Sequence, residues 1–92
     1  MQDKEKQQVL LRLKSIEGHL RGIQTMVEED RYCIDILKQT KAVQRALAKV
    51  DGIILDNHLR TCVTRAMRSQ DDQERDRVVE ELLEVYDVSS KL

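Results

Sequence analysis

One apolar pattern is written twice into this chain of 92 residues. Val9, Leu13, Ile16, Leu20, Ile23 and Val27 step by 4, 3, 4, 3 and 4 residues. Ile36, Thr40, Val43, Leu47, Val50 and Ile54 repeat those steps. Such steps return to one side of a helix, whereas a strand needs strict alternation. Nothing punctuates either run strongly: the chain has no proline and three glycines. The pattern predicts an all-α fold with three helices per chain. The first covers residues 4–28, with Gly18 and Gly22 allowing close helix approach. Glu28-Glu29-Asp30 ends it, and Asp30 is the expected N-cap of the next helix. The second runs unbroken over 31–66 and carries Gly52 inside it; the rival is a turn at Asp51-Gly52. After a polar connector, Ser69-Gln70-Asp71-Asp72, the residues Val78, Val79, Leu82, Leu83 and Tyr86 mark a short third helix.

Residues 1–92 read as one small domain with a limited core of its own. A second helix about 50 Å long is too long for two short helices to cover, so pairing with a second copy is expected. No apolar run approaches about 18 residues. The N-terminus, MQDKEKQQ, is polar. The expectation is a cytoplasmic protein with no membrane partner, whose two cysteines serve metal or redox chemistry. Net charge is −1, unevenly spread. Residues 38–68 hold 7 basic and 2 acidic groups, and residues 69–92 hold 3 basic and 8 acidic groups. A basic centre and an acidic tail therefore set the local fields.

Cys33, His58 and Cys62 carry the most specific chemistry. His58 and Cys62 are four residues apart and share one helix face. On an unbroken helix Cys33 lies roughly 37 Å from His58. One chain could not close that site, but an antiparallel second copy could lay its Cys33 beside the His58/Cys62 pair. Two thiolates and one imidazole suit three-coordinate Cu(I). Zn(II) would want a fourth ligand, from water, His19 or an acidic side chain. The plainer alternative is that both cysteines are small core residues.

Basic side chains form a second constellation. Lys38, Lys41, Arg45 and Lys49 step by 3, 4 and 4 along the second helix, and Arg12, Lys14 and Arg21 add charge to the first. A solvated face is the ordinary meaning of such a stripe. Repeated across an oligomer, it could engage DNA phosphates. No helix-turn-helix, zinc-finger or ribbon signature accompanies it. No phosphate loop, nucleophile elbow or acid–base pair supports an enzyme, and His19 reads as a packing or surface histidine.

Three segments, RLKSIEGHLRGI at 12–23, YCIDILKQTKAVQRAL at 32–47 and NHLRTCV at 57–63, together resemble the CsoR/RcnR family of small helical bacterial repressors. The likeness covers residues 6–88 and is greatest to the copper-sensing branch. It implies an antiparallel helical-bundle dimer, assembled further as a dimer of dimers. It also implies an intersubunit Cu(I) site of Cys33 from one protomer with His58 and Cys62 from the other. Outer groups coupling copper to DNA release map onto Tyr32 and Glu81, with Glu80 the alternative. Without a connector some three residues longer than in close relatives, the glutamate position would fall on Val78. Arg12 is the strongest candidate for a DNA contact and Lys49 the next; Lys14, Arg21, Lys41 and Arg45 follow from charge pattern alone. The implied function is a repressor that binds double-stranded operator DNA when metal-free and releases it on binding Cu(I), derepressing copper-resistance genes.

Other readings leave different marks. The nickel and cobalt branch uses N-terminal nitrogen ligands and a histidine at position 62, both missing here. The formaldehyde branch keeps only the first cysteine of the pair. The persulfide-sensing branch keeps both cysteines and lacks the histidine, so His58 argues against it; it is the more serious rival because Cys33 and Cys62 of facing chains could link through sulfur. A copper-binding protein without a DNA role would ignore neutralisation of Arg12 and Lys49. A plain helical oligomerisation module would bind no copper.

Overall fold

The computed structural model describes residues 1–91, and of residues 87–91 the backbone only. All of its regular structure is helical. Helix α1 spans Asp3–Glu28, α2 Cys33–His58, α3 Thr64–Arg68 and α4 Asp72–Lys91. A π-helical turn, Leu59–Val63, follows α2 directly and leads directly into α3. The predicted second helix therefore has no break at Asp51-Gly52. Gly52 lies within α2, where an added Cβ would meet nothing within 4 Å. What interrupts the regular pitch is the π turn, which sequence periodicity did not reveal. Among the described residues, no helix is long and apolar enough to cross a membrane.

The chain divides into two compact units, the first comprising Met1–Asn57. This unit is a helical hairpin of α1 and α2, joined by four residues, so the two helices run antiparallel. Its core is Val9, Ile16 and Ile23 of α1 with Val43 and Val50 of α2; Leu13, Ile36, Ala46 and Ile53 pack against them half-buried. Buried positions thus recur every seven residues. In the other column of the predicted seam, Leu20, Val27, Leu47 and Ile54 stay in solvent, 47%, 56%, 40% and 39% exposed. Two helices bury only the stripe where their surfaces meet, which is narrower than either apolar face.

The turn between α1 and α2 corrects the expected role of Asp30. Its φ of 54° is left-handed. The Arg31 N–H donates to the Met26 carbonyl at 3.0 Å, and the Asp30 N–H to the Val27 carbonyl at 3.1 Å. These two bonds make a Schellman motif, with Asp30 in the place glycine usually takes. Asp30 therefore closes α1 and does not open α2. At Gly18 and Gly22 an added Cβ would touch nothing, so within the protomer neither marks a close approach. His19 is half-buried, and its Nε2 donates to Gln39 Oε1 at 2.7 Å, bridging α1 to α2. Packing is one of the two roles expected of it, a surface histidine being the other.

The second unit begins at His58. Here α3 packs on α4, with Ala66 fully buried and Val78 nearly so. Asp71 caps α4: its Oδ1 accepts from the Gln73 N–H at 3.0 Å, and its carbonyl accepts from the Arg75 N–H at 3.2 Å. The Arg75 guanidinium also donates to the Ser69 carbonyl and pairs with Asp72, tying the connector to the first turn of α4.

Candidate metal centre and basic faces

Cys33 and Cys62 are free, exposed thiols. Cys33 is the first residue of α2, and Tyr32 precedes it in the turn, 69% exposed. His58 is the last residue of α2 and is half-buried. Cys33 and His58 lie 25 residues apart on one α-helix. At 3.6 residues per turn that is about 20° short of seven full turns, so both fall on the same side of α2. Leu37, Thr40, Leu47 and Ile54 lie along that side between them, with Leu47 near its middle. It is the side on which the second apolar column was left in solvent.

Cys62 lies within the π turn. The Thr64 hydroxyl donates to the Leu59 carbonyl at 2.7 Å, and the Thr64 backbone N–H bonds to the same oxygen. That pair of bonds spans five residues and holds the widened turn. Thr61 Oγ1 donates to Cys62 Sγ at 3.7 Å. Four residues make about one turn in either helix type, so Cys62 follows His58 by one turn. The donor set, two thiols and an imidazole, fits a soft, low-coordinate ion. Among the described residues, no three His, Cys, Asp or Glu side chains of one chain gather around a common point.

Glu81 lies on α4, half-buried, and its Oε1 accepts from Arg77 Nη1 at 2.6 Å. Glu80 beside it is exposed. Val78 is 2% exposed and belongs to the core of its unit, an environment that disfavours a carboxylate.

Arg12, Lys14, Arg21, Lys41, Arg45 and Lys49 are all exposed. They do not form one surface. Arg12 and Arg21, nine residues apart, fall on opposite sides of α1. Arg21 also sits 3.5 Å from Glu17 in an exposed pair. Lys41, Arg45 and Lys49 do share a side of α2, and an open groove of about 270 Å³ lies there, lined by Ile34, Leu37, Lys38, Lys41 and Arg45. The π turn and the Schellman turn escaped sequence reasoning. A threonine five residues after a helical carbonyl, and an aspartate after two glutamates, are the faint signals that each left.

Residues 5–88 match the family described as metal-sensitive transcriptional repressor. The chain belongs to that family. It is 49% identical over 83 residues to the copper-sensing transcriptional repressor CsoR of Bacillus subtilis, covering 90% of this chain and 79% of the relative. It is 55% identical over 56 residues to the copper-sensing transcriptional repressor RicR of Mycobacterium tuberculosis, covering 61% and 58%. Among solved structures it matches the copper-sensing repressor CsoR with Cu(I) from Geobacillus thermodenitrificans NG80-2. There the TM-score is 0.86 at 39% identity, over 98% of this chain and 91% of the other. The nickel-responsive regulator InrS matches with a TM-score of 0.74 at 40% identity, covering 87% and 90%. Family membership makes this chain a transcriptional regulator and not an enzyme.

Proposed function

We propose that this metal-sensitive repressor is a Cu(I) sensor. One observation carries the reading: Cys33 and His58 sit at opposite ends of α2 on the same side, with Cys62 one turn beyond. Two copies laid antiparallel along that side bring Cys33 of one protomer to the His58/Cys62 pair of the other. Those three side chains would hold Cu(I), which links the two protomers through sulfur and nitrogen when bound. The arrangement recurs at both ends of the pair, giving one site per chain. Relatives of similar sequence are named copper sensors, and the donor set here is two thiols and one imidazole.

Tyr32 adjoins Cys33 in sequence, and Glu81 belongs to the same unit as His58. In this reading they respond to the site as outer groups, Glu81 by exchanging Arg77 for the free ring nitrogen of His58. Glu80 is the alternative. The metal-free protein, a homodimer or a dimer of dimers in the cytoplasm, binds double-stranded operator DNA. Arg12 and Lys49 lead the phosphate contacts, and Lys14, Arg21, Lys41 and Arg45 contribute. Cu(I) weakens that binding and so derepresses copper-resistance genes. DNA must then weaken Cu(I) binding by the same factor.

An anaerobic Cu(I) titration against a chromophoric chelator tests the reading. Wild type should take up one Cu(I) per chain tightly, and His58→Ala should lose most of that affinity. Failure of reduced wild type to compete would sink it. A second reading, persulfide sensing by Cys33 and Cys62, is favoured by one observation: both thiols are free and exposed. A persulfide response would survive His58→Ala, whereas a copper response would not.

A further inference from the structure

Two exposed helix faces in this chain are charge complements of each other. Lys41, Arg45 and Lys49 step by 4 and 4 along α2, all exposed. Asp76, Glu80 and Glu84 step by 4 and 4 along α4, all exposed. Each trio spans about 12 Å of its helix. Each stripe also has an exposed apolar border, and on both helices it lies on the same hand. Leu37 precedes Lys38 on α2, while Val79 precedes Glu80 and Leu83 precedes Glu84 on α4. Leu37, Val79 and Leu83 are 53%, 44% and 61% exposed. When two helices face each other antiparallel, borders of the same hand meet; in a parallel pair they are opposed.

We infer that the basic face of α2 docks the acidic face of α4 of a second copy, antiparallel. Lys41 then lies opposite Glu84, Arg45 opposite Glu80 and Lys49 opposite Asp76, with Leu37, Val79 and Leu83 all along one edge. The groove beside Ile34, Leu37, Lys38, Lys41 and Arg45 receives the α4 side chains. Each copy offers both faces, so α2 of one copy meets α4 of another. It also fits the charge layout, in which a basic centre and an acidic tail nearly cancel over the chain. A single exposed pair contributes little, but three in register with an apolar edge select one alignment. DNA phosphates need the same cations, so α4 shields this face until DNA displaces it. The inference stands apart from the copper reading, and its test uses neither copper nor DNA.

The test is zero-length carbodiimide cross-linking of full-length protein refolded from an equal mixture of light and heavy isotope-labelled chains. Mixed-label peptides joining Lys41 to Glu84 and Lys49 to Asp76 are expected. Links confined to one label would place the contact within a chain and overturn the pairing, as would their absence. Arg45→Glu should lower the mixed-label yield about tenfold. The swapped pair Arg45→Glu/Glu80→Arg should restore it. An unchanged yield in Arg45→Glu, or no recovery in the swap, overturns the register.

Discussion

Asp30 shows how one side chain can be placed where its chemistry is second best. The turn needs a left-handed residue, and any Cβ there crowds the following carbonyl. Aspartate tolerates this better than most residues, but glycine tolerates it freely. Asp30→Gly should therefore raise stability by about 0.5–1 kcal/mol, a few degrees in Tm for a chain of this size. Thermal unfolding at fixed protein concentration checks this; a lower Tm would mean that the carboxylate holds the turn in a way its backbone bonds do not reveal. The cysteines and histidine stand out as candidates at this scale because ligand chemistry belongs to residue type. Their spacing was legible because helix phase follows from counting. Asp30 was misread because an N-cap and a left-handed C-terminal residue favour the same side chains, and only φ separates them.

Among the elements, the π turn at Leu59–Val63 departs most from what periodicity predicts. A π turn widens the helix by one residue and carries poorer packing, so it persists where something holds it. Here the Thr64 hydroxyl on the Leu59 carbonyl does so. Thr64→Val keeps the shape of the side chain and removes that bond. The expected cost is about 1 kcal/mol in unfolding free energy. Relaxation of the turn toward α-helix would rotate Cys62 relative to His58, so Cu(I) affinity should fall alongside. Chelator competition on the variant checks the second effect; a stability loss with unchanged Cu(I) affinity would separate the π turn from the site. The capping of α4 by Asp71 follows the ordinary rule for an aspartate ahead of a helix, and the polar connector made it legible. The signal left by the π turn, Thr64, is too faint to read, because a threonine within a helix is common.

For the whole molecule, the exposed Leu47 and Ile54 on one side of α2 are the feature a single copy leaves unsatisfied. Antiparallel pairing along that side sets Leu47 close to the two-fold axis, against its own counterpart. In a Cys33→Ser/Cys62→Ser background, Leu47→Cys should cross-link two chains under mild oxidation, visible as a dimer on a non-reducing gel. Leu47→Glu should drive the protein toward monomer in sedimentation, since two carboxylates would face each other at the axis. A monomeric parent, or no cross-link through position 47, would refute the antiparallel register and with it the shared metal site.

The sequence by itself determined that this chain is helical, which residues share a side of each helix, and which three side chains are the candidate ligands. These follow from 3.6-residue periodicity, the scarcity of helix breakers and the donor atoms of cysteine and histidine, all local properties. Only the tertiary structure decided which half of each seam is buried. Two helices of finite width meet along one stripe, so Val9, Ile16, Ile23, Val43 and Val50 go inside while Leu20, Leu47 and Ile54 stay out. It also decided that the strain falls at Asp30 and at the turn before Thr64, because such distortions answer to the geometry of closing a hairpin and seating a helix. No count along the chain contains that geometry.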